Sequence, residues 1–368
     1  MKLFCAQKDL DFALNIVNKA ISPNNTLPVL NNILIKAEGK KLYFSSTNLE
    51  IAISCSIDAD VRGEGAITVP AKLITSYVSF LTDEKVELNV TEGITLSLNS
   101  SSSQTKIKCI SADEFPLIPK VEEGQKFSIK VEELYSAITE VAFAASVNTS
   151  RPVLSGVLLL SSGKAAKMVA TDSYRLAEKD LALLERGSED FSCIIPGRTL
   201  MELSKIIGKS GENEVKVSVS KNQILFKMEG IEFISRLIEG KFPDYEKIIP
   251  KDFKTKFEVS VEDLSLVLKR VNLFARENNN SVKLSVTNDG KLMISSDETK
   301  VGEEKAEVMV KIEGENNKIS LNSQYLLDVL TYIGKDKILF TMNDKVSPAV
   351  IRPLGEEGYV YIIMPLKV

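Results

Sequence analysis

Val131-Glu132-Glu133-Leu134-Tyr135-Ser136-Ala137-Ile138 is written three times along this chain, with variations. Its other copies are Lys8-Asp9-Leu10-Asp11-Phe12-Ala13-Leu14 and Val261-Glu262-Asp263-Leu264-Ser265-Leu266-Val267-Leu268. A second phrase follows each copy: Pro70-Ala71-Lys72-Leu73, Pro196-Gly197-Arg198-Thr199-Leu200 and Asn322-Ser323-Gln324-Tyr325-Leu326. That second phrase recurs at a constant interval, 126 residues from Pro70 to Pro196 and 126 from Pro196 to Asn322. The first is looser, with 124 residues from Leu10 to Leu134 and 130 from Leu134 to Leu264. Solenoid and propeller units run roughly 20–50 residues, so this period is not theirs. It is the length of a whole domain. The chain reads as three similar domains, an architecture made by repetition and not around a single catalytic pocket.

Within each copy the apolar residues keep helical spacing. Leu134, Ala137, Ile138 and Val141 fall at i, i+3, i+4 and i+7, as do Leu264, Val267, Leu268 and Val271, and Leu10, Ala13, Leu14 and Val17. Acids crowd the start of the later two (Glu132, Glu133; Glu262, Asp263), where the helix dipole favours negative charge. Lys269 and Arg270 are expected at the end of the third. The second phrases predict helices over about 71–82, 198–208 and 323–334. Between the helices, Val86-Glu87-Leu88-Asn89-Val90 and Val215-Lys216-Val217-Ser218-Val219 alternate apolar with polar, as half-buried strands do. Lys311-Ile312-Glu313 and Lys337–Met342 are further strand candidates. Turn signals at Glu92-Gly93, Glu229-Gly230, Asn288-Asp289-Gly290 and Asn343-Asp344 separate such runs. The class is therefore α+β with antiparallel sheets. Two links share a Phe-Pro phrase, Phe115-Pro116 and Phe242-Pro243, which forces extended geometry before the proline. They place the domains at 1–122, 123–251 and 252–368.

Composition narrows the function. An apolar fraction of 44% and a charged fraction of 26% are those of a soluble globular chain. No run approaches the roughly 18 apolar residues of a membrane helix, and Met1-Lys2-Leu3-Phe4-Cys5 opens no signal-peptide core. Cys5, Cys55, Cys109 and Cys193 lack CxxC spacing and read as free, mostly buried thiols of a reducing cytoplasm. The chain has no histidine and no tryptophan, which removes Ser-His-Asp and Cys-His nucleophiles and His-ligated metals. Phosphate-cradling glycine motifs are also missing. A net charge of −4 does not announce a nucleic-acid binder.

Four motifs on the triplicated frame resemble the bacterial DNA polymerase III beta subunit, or sliding clamp, family. They are Ala170-Thr171-Asp172-Ser173-Tyr174-Arg175-Leu176-Ala177, Gly240-Lys241-Phe242-Pro243-Asp244-Tyr245, Thr26-Leu27-Pro28-Val29-Leu30 and the tail Tyr361-Ile362-Ile363-Met364-Pro365-Leu366. The resemblance implies three DNA-clamp domains, with antiparallel sheets outside and two helices per domain lining a central hole. It implies a ring-shaped, head-to-tail homodimer. The expected function is that of a cytoplasmic, non-enzymatic processivity factor without a cofactor. It would encircle double-stranded DNA independently of sequence and tether the DNA polymerase III alpha subunit, the clamp loader and other proteins carrying a clamp-binding motif. Charges on the predicted helices nearly cancel, so the hole is at best weakly attractive. Tight phosphate contacts would brake sliding.

The resemblance carries over a peptide groove between the second and third domains, lined by Leu154, Thr171, Ser173, Tyr174, Arg175, Leu176, Pro243, Lys247, Ile248, Val346, Pro348, Ile362, Met364, Pro365 and Leu366. Apolar walls accept aliphatic and aromatic anchors, methionine adapts to several partners, and a base meets a polar or acidic flank. The bland reading is that Leu154, Ile248, Ile362 and Met364 are ordinary core; it suits Tyr174 and Arg175 less well. The family often has Gly-His where this chain has Ser173-Tyr174, and its tail commonly ends Met-Pro-Met-Arg-Leu where this one ends Met364-Pro365-Leu366-Lys367-Val368. DNA contacts are expected from Asn24, Lys72, Asn148, Arg198, Lys205, Lys209, Arg276 and Lys283, against the bland reading of solvated charges. Leu273 and Phe274 are expected at the dimer contact, with Thr105 near Ile107 facing it. Adjacent acids such as Glu122-Glu123 and Glu356-Glu357 read as solvated, and Asp172 as fixing a turn. A peptide-binding scaffold without DNA and a carboxylate-dependent hydrolase are the competing classes. The scaffold would need only the groove, and the hydrolase lacks its histidine and clustered acids.

Overall fold

The computed structural model describes residues 1–22, 27–91, 94–119, 121, 124–162, 165–185, 187, 189–208, 211–300 and 302–366. Among the described residues are six α-helices, two per repeat: α1 (Gln7–Val17), α2 (Ala71–Ser79), α3 (Val131–Val141), α4 (Gly197–Ile207), α5 (Val261–Ala275) and α6 (Ser323–Tyr332). The predicted stripes are buried in α1, α3 and α5. A fully buried leucine such as Leu10, Leu14 or Leu264 contributes about 1.5–3 kcal/mol over an exposed one. One backbone bond marks all three starts. Gln7 N–H donates to the Glu84 carbonyl at 3.0 Å, Val131 to Asn213 at 3.0 Å and Val261 to Asp336 at 2.8 Å. Each satisfies a donor that a helix start leaves unpaired.

Two details differ from the sequence reading. The second helices of the first and third repeats are shorter than 71–82 and 323–334, whereas α4 keeps the length of 198–208 and starts one residue earlier. The chain leaves α2 through i→i+3 bonds from Phe80 to Tyr77 and from Leu81 to Val78, and after α6 Gly334 takes a left-handed φ of 62°. Lys269 and Arg270 lie inside α5, not at its end, because buried Val271, Asn272 and Ala275 carry the helix onward. Of the turn signals, Glu92-Gly93 lies outside the described residues.

The strands follow one plan. Each repeat supplies a five-strand set and a four-strand set, all antiparallel. In the first repeat the five run in the order Asp60–Gly63, Lys2–Ala6, Lys85–Thr91, Thr95–Asn99, Gln104–Lys108, and the four run Ile51–Asp58, Lys41–Thr47, Asn32–Glu38, Gly65–Pro70.

The chain divides into two compact units that do not coincide with the repeats. The first comprises Met1–Val131, Leu183–Ser188 and Glu202–Leu237. It holds the first repeat's five-strand sheet alone. It also holds a nine-stranded sheet in which the first repeat's four strands continue into the middle repeat's five. The seam pairs Ile231–Arg236 with Ile51–Asp58, Phe233 standing opposite Ile53. Ala52, Leu225 and Ile234 cluster there, with Ile118 and Val121 packed against them.

The second unit comprises Glu132–Ala182, Glu189–Met201 and Ile238–Val368. Its nine-stranded sheet joins the middle repeat's four strands to the third repeat's five, pairing Arg175–Leu181 with Tyr359–Ile363, Ala177 opposite Tyr361. The third repeat's four-strand sheet stands apart and ends on Lys305–Met309. Phe242 and Tyr245 of the Phe-Pro link are buried with Leu158, Leu176, Val360 and Ile362. Phe115 of the other link packs on Val29 and Leu30 in the first unit.

Candidate functional site

The site begins with a turn. Strand Ala165–Thr171 ends, and strand Arg175–Leu181 begins, around three residues held by two side chains. Thr171 Oγ1 donates to the Arg175 carbonyl at 2.7 Å and accepts from Ser173 N–H at 3.1 Å. Asp172 Oδ1 accepts from Tyr174 N–H at 2.9 Å and Arg175 N–H at 3.0 Å. Ser173 sits at φ 81°, a left-handed conformation costing an L-residue roughly 1–2 kcal/mol. Asp172 therefore fixes a turn, as the sequence reading held.

The first repeat makes the same turn. Thr47 Oγ1 donates to the Ile51 carbonyl and accepts from Leu49 N–H, Asn48 Oδ1 accepts from Glu50 and Ile51, and Leu49 has φ 73°. Thr171, Asp172 and Ser173 are thus the repeat's turn chemistry. Tyr174 and Arg175 are what the middle repeat adds.

Beside this turn lies a cleft of about 140 Å³. Of the expected groove residues, Leu154, Thr171, Ser173, Arg175, Leu176, Pro243, Ile248, Ile362 and Met364 line it. Asp244 and Tyr245 also line it and were not singled out, although both stand in the quoted Gly240–Tyr245 motif. Leu154, Leu176 and Ile362 are core as well as wall, buried in the packing beneath, whereas Ile248 is exposed. Burial pushes the Tyr245 hydroxyl's pKa well up, keeping it neutral.

Tyr174 instead lines a second cleft of about 400 Å³, with Ser146, Asn148, Arg151, Tyr325 and again Leu154 and Arg175. Lys247, Val346, Pro348, Pro365 and Leu366 line neither. Lys247 is exposed and paired with Asp244 at 2.6 Å, which raises its pKa through the hydrogen bond and charge of that carboxylate. Val346 is exposed. Two tail bonds set the rim: Met364 N–H donates to the Tyr174 carbonyl at 2.8 Å and Leu366 N–H to the Ser320 carbonyl at 2.9 Å.

Arg175 departs most from expectation. Its side chain is only 10% exposed. Nε donates to Asp172 at 3.0 Å, one terminal nitrogen to Asp328 at 2.5 Å and the other to the Phe143 carbonyl at 2.9 Å, while the guanidinium lies 4.4 Å from the Tyr325 ring centre. Its charge is committed inside the protein and is not free to meet a ligand's acidic flank.

Sequence profiles for the DNA polymerase III beta subunit match this chain in order: the N-terminal domain over residues 1–119, the central domain over 128–244 and the C-terminal domain over 246–367. This chain belongs to the DNA polymerase III beta subunit family. Beta sliding clamps of Staphylococcus epidermidis and Staphylococcus aureus are each 33% identical to it, over 97% and 96% of both chains. Solved structures similar to this beta-subunit fold include the DNA polymerase sliding clamp from Bacillus subtilis (TM-score 0.94, 30% identity, covering 100% of this chain and 99% of that one). The beta subunit from the DNA polymerase of Streptococcus pyogenes is another (TM-score 0.95, 28% identity, 100% of both).

The remaining expected residues of this beta-subunit chain are scattered over its elements. Lys72 on α2, Arg198 on α4 and Arg276 just past α5 are exposed. Lys205 already holds Glu202 at 2.8 Å, and Lys283 lies on strand Ser281–Thr287 paired with Asp297. Asn148 accepts from Ser150 N–H at 2.9 Å and so shapes its own loop. Asn24 and Lys209 lie outside the described residues, as do Thr26, Glu122, Glu123, Lys367 and Val368. Leu273 is 61% exposed on α5, and neighbouring Phe274 packs over Gly302. All four cysteines are free, and Cys5, Cys55 and Cys193 are buried. No helix among the described residues is long and apolar enough to cross a membrane.

Proposed function

We propose that this chain is a sliding clamp: a non-catalytic processivity factor that encloses duplex DNA without reading its sequence and tethers a replicative polymerase. The observation that carries this reading is the ordered match of all three repeats to the three domains of the beta subunit family. The groove at the Thr171–Arg175 turn is the docking place for linear peptides of the polymerase III alpha subunit, the clamp loader and other cytoplasmic partners.

Sheet topology supports a head-to-tail homodimer. Ile231–Arg236 and Tyr359–Ile363, the last strands of two five-strand sets, are each paired to a four-strand set. Among the described residues their counterpart Gln104–Lys108 ends its sheet unpaired, and so does Lys305–Met309, the counterpart of Ile51–Asp58 and Arg175–Leu181. One copy thus presents one edge of each kind, and a second copy completes both. Thr105 and Ile107 would face Ala306 and Val308, with Leu273 and Phe274 of α5 above them. Lys106 and Lys108 meet a segment carrying Glu303, Glu304 and Glu307, a complementarity that fixes register and partner. Two copies closed in this way hold DNA by enclosure, and the near-cancelling helix charges leave a grip weak enough to slide.

The test is retention after loading on nicked circular DNA, compared with the same DNA linearised, beside the solution mass. A clamp stays on the circle, runs off the line and has twice the 40.6 kDa chain mass. Equal loss from both DNAs, or a monomer at every concentration, sinks the reading. A peptide scaffold without DNA would show that loss while still binding peptide.

A further inference from the structure

The groove's charged wall is held from outside it. Arg175 lines both the small cleft and the larger one beside it, and with Leu154 it is common to the two. Nothing in the strand that carries Arg175 suffices to fix its guanidinium. Asp172, three residues away, takes Nε at 3.0 Å. The remaining nitrogens need partners from elsewhere, and they find Asp328 on α6 and the Phe143 carbonyl. Asp328 lines neither cleft. Both its oxygens are occupied, one by Arg175 at 2.5 Å and the other by the Gln324 amide nitrogen at 2.8 Å. One turn before it on α6, Tyr325 lays its ring against the guanidinium, and its carbonyl accepts from the Tyr361 hydroxyl at 3.0 Å.

We propose that Asp328 is a positioning residue for the peptide groove: it holds the Arg175 guanidinium as the fixed wall shared by the two clefts, so that an incoming peptide meets a preformed surface. This rests on the reading of the cleft as a peptide groove. A guanidinium with a single carboxylate partner in a largely desolvated place takes up several poses, and an occupant must then order it, which lowers affinity.

The experiment measures binding of a short fluorescein-labelled peptide bearing leucine and phenylalanine anchors to the full-length chain by anisotropy. Asp328→Asn keeps the shape and removes the charge, and it weakens binding about tenfold, the usual worth of a charge-assisted hydrogen bond. Asp328→Glu restores the carboxylate and returns affinity to within about twofold of the parent. In an Arg175→Met background, Asp328→Asn produces no additional loss, because its effect runs through Arg175. If the parent chain fails to bind the peptide at all, the groove reading falls. If the parent binds and Asp328→Asn binds equally well, the positioning role is overturned. It is overturned too if Asp328→Glu loses as much as Asp328→Asn, or if the loss persists without Arg175.

Discussion

Lys179 and Glu140 form a deeply placed ion pair of the second unit, and removing either charge should cost more than any surface substitution. Lys179 Nζ lies 2.8 Å from a Glu140 oxygen, with side chains 9% and 10% exposed. The Ser136 hydroxyl completes the site, accepting from Lys179 at 3.0 Å and donating to Glu140. Glu356, at 3.9 Å from Lys179, is too distant to replace Glu140. The pair ties α3 to the seam strand Arg175–Leu181, where Lys179 stands opposite Tyr359. Lys179→Met leaves a carboxylate without its counter-charge in a place that water barely reaches, a loss of about 3–5 kcal/mol. At about 2–4 °C per kcal/mol for a body of this size, the melting temperature falls by roughly 10 °C. The double variant Glu140→Leu/Lys179→Met removes both charges and returns to within about 1 kcal/mol of the parent, since apolar replacement of a buried pair is close to neutral. Urea unfolding followed by circular dichroism, run as a double-mutant cycle, measures the coupling. If each single variant costs less than about 1 kcal/mol, the pair behaves as an exposed one and the reasoning is wrong.

Ser173→Gly relieves the left-handed residue of the groove turn and raises stability by about 1 kcal/mol, measured as a shift in urea midpoint at unchanged slope. An unchanged or lower midpoint would mean that the turn stores no strain at that position. Burial, with Asp9 nearby, pushes the Cys5 thiol up to about 12, and burial does the same for Cys193, while Cys55 rises to about 11. At pH 8 these three are protonated, so a thiol reagent leaves them unmodified in the native chain and titrates all four cysteines after unfolding. Stoichiometric native labelling at pH 8 contradicts this. Removing Met364 to Val368 takes away a groove wall and the tail's bonds to Tyr174 and Ser320, and so abolishes peptide binding while leaving the solution mass unchanged. Polymerase stimulation that survives the deletion refutes the groove assignment.

The helices were legible because their signal is local. Four apolar positions at helical spacing, three times over, are the positions that the fold buries. The α+β class followed from the same kind of reading. The joining of half-sheets across repeats was not legible, because nothing in Tyr359–Ile363 says which strand will lie beside it; that depends on edges brought together from about 180 residues apart. The groove was half legible. Thr171, Asp172 and Ser173 stand out in the sequence, yet Thr47, Asn48 and Leu49 build the same turn with different letters. Arginine is seldom enclosed, so the sequence alone points the Arg175 charge outward. Its enclosure is made by Asp328 and Tyr325, about 150 residues onward, and no local pattern announces such a pairing.

The two unpaired strand edges bring a final consequence. An open edge is a hazard, and proteins blunt it with charge, lysine above all. The enclosed edge Tyr359-Val360-Tyr361-Ile362-Ile363 has no charged residue, whereas its open counterpart Gln104-Thr105-Lys106-Ile107-Lys108 has two lysines. The other open edge, Lys305-Ala306-Glu307-Val308-Met309, follows Glu303 and Glu304. Lysines against acids discourage each edge from pairing with its own kind and favour the head-to-tail union. Reversing the lysines therefore tests the seam directly. Lys106→Glu/Lys108→Glu places like charges across it and should raise the dimer dissociation constant about tenfold or more at low salt. Adding Glu303→Lys/Glu307→Lys restores the opposition and most of the affinity. Sedimentation at two ionic strengths separates this from misfolding, because a charge effect shrinks as salt rises and a folding defect does not. A dimer indifferent to all four reversals would place the seam elsewhere on the molecule.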